Sequence, residues 1–395
     1  MAHAKNTIFP LAAPPPPPAY LAKMKKKSAK PQPESTPDGL LELLPDILPL
    51  VALLLATQIY PFRSLQLPWT DSGNEVRLLA SKSSVTGRIV VAEHLGMGFR
   101  YLRADHSLLG GQWIDMPTTR GETGDSIYTA FMLQEAARLV ETGHKDSALI
   151  VGLGIGVSAN TFMRVGMNTT IVEIDPVVYD YARDYFGLRT PDSVHFADAR
   201  GWVQKQATLA TPPRYDVIIH DCFSGGGVPS HLYTVEFWKE LRKIVSDDGV
   251  VAANYAGVLG SDTGRAILAT MLEVFPQCRT FHDRVSREQH VTKFLNMVFF
   301  CTPSKKPMTF RSVNAHDIGN SEMRRQLFSA WSTLEIPTYQ VFEGENATKA
   351  TDAFNRKAWV LTDAKNPLGA WQDADALHHW HLMRYVLPAV HWETY

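Results

Sequence analysis

The chain has 395 residues, of which 45% are hydrophobic, and its formal net charge is −1. This length can bury a large core and predicts about two or three domains, while the balanced charge offers no electrostatic footprint for nucleic acid, so we expect no nucleic-acid partner. The three cysteines, Cys222, Cys278 and Cys301, are widely spaced and form no CxxC pair. We therefore expect neither a disulfide framework nor a cysteine zinc site, and we predict a reducing, cytoplasmic location.

Residues 1–38 form a leader rich in proline and lysine. They contain a proline run at 14–18 and a basic cluster at 23–27, and no acidic residue precedes Glu34. Such a composition buries too little apolar surface to order the backbone. We predict that the leader is disordered.

Residues 39–60 form a hydrophobic segment with the length of a membrane-spanning helix. The lysines before it fit a cytoplasmic flank. Against a spanning helix, Glu42 and Asp46 are costly in hydrocarbon, and the uninterrupted apolar run covers only 47–56. Two interpretations therefore stay open, a membrane-associated helix and a helix buried on the body of the protein.

Residues 61–117 change to short β-rich runs separated by turn residues. The runs begin at Val76, Gly87, Phe99 and Ser107. This spacing predicts a small antiparallel β domain. A helix with an apolar face is predicted after it, from about Asp125 through Val140.

A glycine-rich loop follows the apolar run that begins at Ala148. Gly152, Gly154 and Gly156 alternate there, and after one helix length a second apolar run ends in Glu173. This pattern predicts the first β-α-β unit of a doubly wound nucleotide-binding sheet. Glycines let the backbone approach a ligand closely, and an acid at the tip of the second strand can accept both hydroxyls of a ribose. The pair predicts adenosyl binding, although a nicotinamide dinucleotide site also has an acid about 20 residues past its loop.

Two further strands in this region end in acids, Asp198 and Asp221. Because the carboxyl ends of parallel strands meet at one edge of a sheet, we expect Glu173, Asp198 and Asp221 to converge on one crevice. Further elements are predicted as a helix at 231–245, a strand at 249–253, a helix near 266–275 and an apolar run at 294–301. They complete a seven-stranded sheet, which is typical of adenosylmethionine-dependent transferases and not of dehydrogenases.

Residues 304–395 begin polar and become helical. Three histidines lie close together at 378–381. Consecutive residues diverge on a helix, and no acid or cysteine pattern accompanies them, so we predict no metal site.

Several motifs together carry a family resemblance. They are the loop at 152–156, Val-Glu-Ile-Asp-Pro at 172–176, His-Phe-Ala-Asp at 195–198, Tyr-Asp-Val-Ile-Ile-His-Asp at 215–221, Leu-Tyr-Thr-Val-Glu-Phe-Trp at 232–238 and the closing motif at 360–368. In order and spacing the chain resembles spermidine synthases and their methyltransferase-like relatives. The resemblance implies an α/β fold, in which a Rossmann-like, seven-stranded class I transferase sheet at 118–303 follows the β domain.

The resemblance also implies which residues bind the donor, S-adenosylmethionine or its decarboxylated form. Gly152, Gly154 and Gly156 would line it, Glu173 would hold its ribose, and Asp198 with Ala199 would meet its adenine. Gln112 is counted with these cofactor-binding residues and would lie toward the acceptor.

Asp221 and Tyr128 are the catalytic residues that the resemblance implies. Asp221 would lie beside the transferred carbon, and Tyr128 with Gln112 would close the acceptor side. An amine acceptor is protonated at neutral pH and has no lone pair with which to attack. A carboxylate that orients the amine and removes its proton is therefore useful.

Two departures from the aminopropyltransferase pattern favour methyl transfer. Ile155 stands where those enzymes carry an acid for the donor's ammonium, and Ser224 stands where a second acid binds the polyamine. We therefore expect methyl transfer from S-adenosylmethionine to a small-molecule amine or a protein, with aminopropyl transfer as the first alternative. An inactive, membrane-associated scaffold is the second alternative. The resemblance also implies a homodimer formed through the N-terminal region.

Overall fold

The computed structural model describes residues 48–49, 67–114, 124–223, 226–284, 294–349 and 355–393. The predicted disordered leader, most of the apolar segment at 39–60, and Ser224 lie outside these ranges. Among the residues within them, no helix has the length and apolar character needed to cross a membrane. Homodimer formation and membrane association stay predictions.

The first sheet is antiparallel, five-stranded and ordered β1-β2-β3-β4-β5, as the β-rich runs predict. Its strands are β1 Trp69–Thr70, β2 Val76–Ser84, β3 Gly87–His94, β4 Phe99–Ala104 and β5 Ser107–Trp113. Alternating side chains bury both faces. One face packs on Met383 and Trp392 near the C-terminus, and the other on Ile155 and Val178.

The second sheet has eight strands in the order β13-β11-β12-β10-β9-β6-β7-β8. Its strands are β6 Ser147–Val151, β7 Asn168–Glu173, β8 Ser193–Phe196, β9 Tyr215–His220, β10 Val245–Val258, β11 Gln277–His282, β12 Phe294–Thr302 and β13 Glu335–Ile336. Strands β6 to β10 are parallel, and β11, β12 and β13 pair antiparallel. The strand order reverses at β6: β7 and β8 are added on one side of β6, and β9 and β10 on the other. This switch point is where doubly wound sheets bind ligands.

The helices cover both faces of the second sheet and extend to the C-terminus. They are α1 Thr129–Gln134, α2 Val157–Arg164, α3 Pro176–Phe186, α4 Ala199–Ala207, α5 Val235–Ile244, α6 Asp262–Val274, α7 Ala315–Ile318, α8 Glu322–Ser329, α9 Thr338–Glu343, α10 Leu368–Val386 and α11 Val390–Glu393. The α/β fold class and the preceding antiparallel sheet are confirmed. The unit from Leu65 to Tyr395 is compact.

Several predicted elements have different limits in the structure. The helix expected from Asp125 begins at Thr129, because Ser126 is still extended and bridges to Gln112. The helix expected at 231–245 begins after Thr234, whose side chain caps it. The strand expected at 249–253 continues through Val258, and β13 adds an eighth strand from a part of the chain that was expected to be helical.

A disulfide joins Cys278 and Cys301, so the prediction that no disulfide forms is wrong. The two cysteines face each other on β11 and β12, with Cα atoms 4.1 Å apart. They are 23 residues apart in the chain, and only antiparallel pairing brings them together. Because this bond forms in oxidising compartments, it also removes the cysteine argument for a reducing location.

Hydrogen bonds from the first sheet tie it to the second. Ser84 Oγ donates to Asp175 Oδ1 over 2.5 Å, and Thr86 Oγ1 donates to Asp175 Oδ2 over 2.6 Å. Asp175 also caps α3 by accepting from the backbone N–H of Val177. These bonds hold the β2–β3 turn beside the carboxyl end of β7.

Candidate functional site

A cavity of about 300 Å³ opens at the carboxyl ends of the parallel strands, between the two sheets and α10. Seven of the nine predicted site residues line it: Tyr128, Gly152, Gly154, Glu173, Asp198, Ala199 and Asp221. Its volume is in the range of small-molecule sites. The topology brings these residues together because β6, β7 and β9 are neighbours in the sheet.

The glycine loop lies against other backbone segments and has no room for side chains. Gly152 has a φ of +83°, and a Cβ there would lie 2.2 Å from the carbonyl oxygen of Asp221. Gly154 has a φ of +55°, and its Cβ would lie 2.6 Å from the carbonyl oxygen of Leu109. Glycine at both positions lets the loop form the cavity wall with bare backbone.

Gly156 and Gln112 differ from expectation, because neither is among the described residues that line the cavity. Gly156 is the N-cap of α2, and a Cβ there would meet Leu188 at 2.7 Å. Gln112 is buried and pairs with Ser126 through the backbone. Gly156 therefore packs behind the loop, and Gln112 orders the segment that leads to Tyr128.

Glu173 ends β7 and is 7% exposed. Its Oε2 accepts from the backbone N–H of Leu153 at 2.8 Å, and its Oε1 accepts from the backbone N–H of Asp175 at 2.9 Å. Burial raises the pKa of this carboxyl, and the two backbone hydrogen bonds oppose that rise. A carboxylate offers about four lone-pair sites, so both oxygens can still accept the hydroxyls of a ribose. The residues present therefore fit an adenosyl group.

Asp198 and Ala199 form the adjoining rim of the cavity. Asp198 caps α4 by accepting from the backbone N–H of Gly201 at 3.0 Å, and its other carboxylate oxygen lies 3.2 Å from Nε2 of His231. Ala199 is the first residue of α4 and is buried. The contact with His231 joins the loops after β8 and β9 at the cavity entrance.

Asp221 follows β9 and accepts a hydrogen bond at Oδ1 from Nδ2 of Asn254 over 2.8 Å. Burial raises the pKa of this carboxyl, and the hydrogen bond from Asn254 opposes that rise. A raised pKa makes the carboxylate a stronger base than an exposed aspartate. Asp221 therefore combines a fixed orientation with the ability to take a proton.

Tyr128 precedes α1 and faces α10. Its hydroxyl lies 3.4 Å from Sδ of Met383 on α10, and burial raises its pKa. The next residue, Thr129, donates its hydroxyl to Oδ2 of Asp283 at 3.0 Å. Tyr128 thus connects the segment between the first sheet and α1 to α10, which borders the cavity.

Sequence reasoning missed several lining residues: Asn254, Asn296, Phe294, His379 and Met383. Asn254 carried a usable signal, because it is a polar residue directly after an apolar run, as the predicted acids are. In the sequence the histidines on α10 suggested only a metal site, which was rejected. In the structure the ring of His379 packs 5.3 Å from the ring of Phe223 in the cavity wall.

Comparison with known proteins gives the family. The spermine/spermidine synthase domain matches residues 129–286. An N-terminal histidine N-methyltransferase from Emericella nidulans is 40% identical over 80% of this chain and 58% of its own length. A polyamine aminopropyltransferase from Vibrio vulnificus is 31% identical over 52% of this chain and 66% of its own. An eEF1A lysine and N-terminal methyltransferase from Bos taurus is 28% identical over 41% of this chain and 26% of its own.

The chain therefore spans little more than half of the Emericella nidulans relative. The matched domain covers α1 through β11, which include the glycine loop and the strand ends that carry Glu173, Asp198 and Asp221. Residues 129–286 therefore carry the domain of the spermidine synthase superfamily.

Proposed function

We propose that the chain is an S-adenosylmethionine-dependent methyltransferase that acts on an amino group or another nitrogen at the amino terminus of a peptide or protein. The observation that carries methyl over aminopropyl transfer is Ile155. It is 4% exposed and packs under the first sheet, where a Cβ on Gly110 would lie 3.1 Å from its Cγ1. A buried aliphatic side chain cannot hold the ammonium for which aminopropyltransferases use an acid.

The donor end of the cavity supports this proposal. Bound S-adenosylmethionine supplies a methyl group on a sulfonium sulfur. Glu173 holds the ribose hydroxyls, while Gly152 and Gly154 admit the donor against bare backbone. Asp198 and Ala199 flank the adenine at the rim.

Asp221 and Tyr128 act on the acceptor. Asp221 accepts a proton from the ammonium form of the acceptor, which frees the nitrogen lone pair. The freed lone pair would then be able to take the methyl group that the sulfonium of bound S-adenosylmethionine would supply, with the electron pair of the broken carbon–sulfur bond left on sulfur. Tyr128 encloses the acceptor nitrogen, so the protein contributes alignment and proton removal.

The acceptor class rests on two relatives whose names specify N-terminal methylation. It also suits the cavity, where the charged lining side chains in the described part of the chain are the three acids Glu173, Asp198 and Asp221. Such a lining favours an uncharged or cationic nitrogen over an anionic group.

Separate incubations with the two donors distinguish methyl transfer from aminopropyl transfer. The full chain is incubated with S-adenosylmethionine and a peptide with a free amino-terminal histidine, and the peptide mass is followed. The expected result is a gain of one methyl group, and the matched peptide with an acetylated amino terminus remains unmodified. Transfer of an aminopropyl group from decarboxylated S-adenosylmethionine to putrescine, without methylation of the peptide, would overturn the proposal.

A further inference from the structure

The carboxamide of Asn254 lies beside Asp221 in the cavity lining. Its Nδ2 donates to Asp221, which fixes which end of the amide points toward the carboxylate. Its Oδ1 is buried and accepts no hydrogen bond from the described part of the chain. A buried acceptor without a donor is destabilising, so this oxygen favours a bound molecule that brings an N–H or O–H.

A second asparagine of the cavity wall, Asn296, lies on the neighbouring strand. In the antiparallel pair of β10 and β12, Asn254 lies opposite Val298 and Asn296 lies opposite Ala256. The two asparagines are therefore diagonal neighbours on one face, with roughly 7–8 Å between them. Nδ2 of Asn296 donates to Oδ2 of the buried Asp283 over 3.0 Å. Each amide nitrogen is thus held by a carboxyl, and each amide belongs to the cavity wall.

The remaining wall of this part of the cavity is aromatic. The ring of His379 on α10 packs 5.3 Å from Phe223 and 6.2 Å from Phe294. No lysine or arginine is among the described lining residues. A carboxylate on the acceptor would find no lysine or arginine among the described lining residues and would lie near Asp221.

We propose that Oδ1 of Asn254 binds an N–H of the acceptor nitrogen, and that Asn254 and Asn296 together select acceptors with two N–H groups and no neighbouring carboxylate. This inference rests on the proposed function, since Asp221 takes a proton from the same nitrogen. One N–H stays on Asn254 while Asp221 removes another proton and so frees the lone pair of the nitrogen. An amino-terminal residue whose side chain carries a second N–H fits this pair of asparagines.

Ligand binding tests the inference on the full chain saturated with S-adenosylhomocysteine. By calorimetry, L-histidinamide is expected to bind at least tenfold more tightly than L-histidine, which carries the carboxylate. Asn254→Leu is expected to weaken histidinamide binding at least tenfold and to change S-adenosylhomocysteine affinity less than twofold. Asn168→Leu, at an exposed position at the start of β7, is the matched control and is expected to change neither.

A second comparison uses the unaltered protein, so it holds even if Asn254→Leu does not fold. Histidinamide with two methyl groups on its α-nitrogen has fewer N–H donors and is expected to bind at least tenfold more weakly. The inference would be overturned if histidinamide and its dimethylated form bound equally well. It would also be overturned if histidinamide bound equally to Asn254→Leu and the unaltered chain, or did not bind at millimolar concentration.

The two proposals fail in different ways. A chain that binds histidinamide through Asn254 but methylates no peptide contradicts the proposed function alone. A chain that methylates the peptide with the same KM in the Asn254→Leu variant contradicts the role of Asn254 alone.

Discussion

The backbone N–H of Leu153 donates to Oε2 of Glu173 over 2.8 Å, so the acid at the end of β7 holds the glycine loop while it lines the cavity. The carboxylate of Glu173 therefore both fixes the glycine loop and lines the cavity in which the donor is proposed to bind. A substitution at Glu173 is expected to affect both the loop and the donor.

Glu173→Gln is expected to weaken S-adenosylmethionine binding at least tenfold. The amide has one acceptor oxygen where the carboxylate has two, and hydrogen bonds to a charged group contribute about 1.5–3 kcal/mol. Calorimetric titration with the donor measures the change. Glu141→Gln, at an exposed position, is the control. Unchanged donor affinity in Glu173→Gln would refute its role.

Asp221→Asn is expected to keep donor affinity within about threefold and to lower kcat by about 10²- to 10⁴-fold, the usual contribution of a positioned general base. The substitution keeps the shape of the side chain but removes its ability to take a proton. Turnover is measured by S-adenosylhomocysteine release with the amino-terminal peptide. Asp184→Asn, which removes one charge of the exposed ion pair between Asp184 and Arg183, controls for a general loss of charge. Loss of donor binding with turnover retained would reverse the assigned roles.

Reduction of the Cys278–Cys301 disulfide is expected to lower the free energy of unfolding by about 3 kcal/mol, because the bond closes a loop of intermediate length in the unfolded chain. Thermal melts of the protein with and without reductant measure the loss, and the double variant Cys278→Ser with Cys301→Ser is expected to melt like the reduced protein.

Alkylation in denaturant checks the pairing itself. Without reductant, Cys222 alone is expected to be labelled, since it is the free cysteine. Labelling of all three cysteines in the unreduced protein would show that the disulfide does not form.

Acid is expected to destabilise the protein through His220. This side chain is fully buried among Tyr233, Phe237 and Trp238, and burial lowers its pKa from 6.5 to about 3. Between these values the unfolded chain binds a proton that the folded chain does not. Stability from this group is therefore complete above pH 6.5 and falls as pH is lowered, by up to about 1.4 kcal/mol per pH unit.

Denaturant titrations from pH 7 to pH 4 measure this slope. His220→Phe is expected to flatten it, and it also removes two buried ring nitrogens that have no hydrogen-bond partner within the described ranges. The exposed His144→Phe is the control and is expected to leave the slope unchanged. An equal slope in the unaltered chain and His220→Phe would contradict the prediction.

The glycine loop and the acids at strand ends could be recognised in the sequence because their signals are local. Gly152 follows an apolar strand directly, and Glu173 and Asp221 stand at the ends of similar runs. Parallel strands place their carboxyl ends at one edge, so the convergence of these residues follows from the pattern. The resemblance added roles for them, which the predictions above test.

The limits of elements were harder to predict, since tertiary contacts decide them. Ser126 stays extended because it bridges to Gln112 in the first sheet, which delays the start of α1 to Thr129. In the sequence Gly156 resembles Gly152 and Gly154, yet a Cβ on Gly156 would meet Leu188, and Gly156 does not line the cavity. Identical residues in one loop therefore take different positions.

By itself the sequence determined the α/β class, the antiparallel sheet ahead of the nucleotide-binding sheet, and the acids at the strand ends, because alternation, apolar runs and glycine spacing act over a few residues. Tertiary structure alone decided that Cys278 meets Cys301, that Asn254 lies diagonal to Asn296, and that His379 closes the cavity. Each of these depends on the register of strands or the docking of a helix that is distant in the chain. Such contacts are set by the packing of the whole core, which no local pattern encodes.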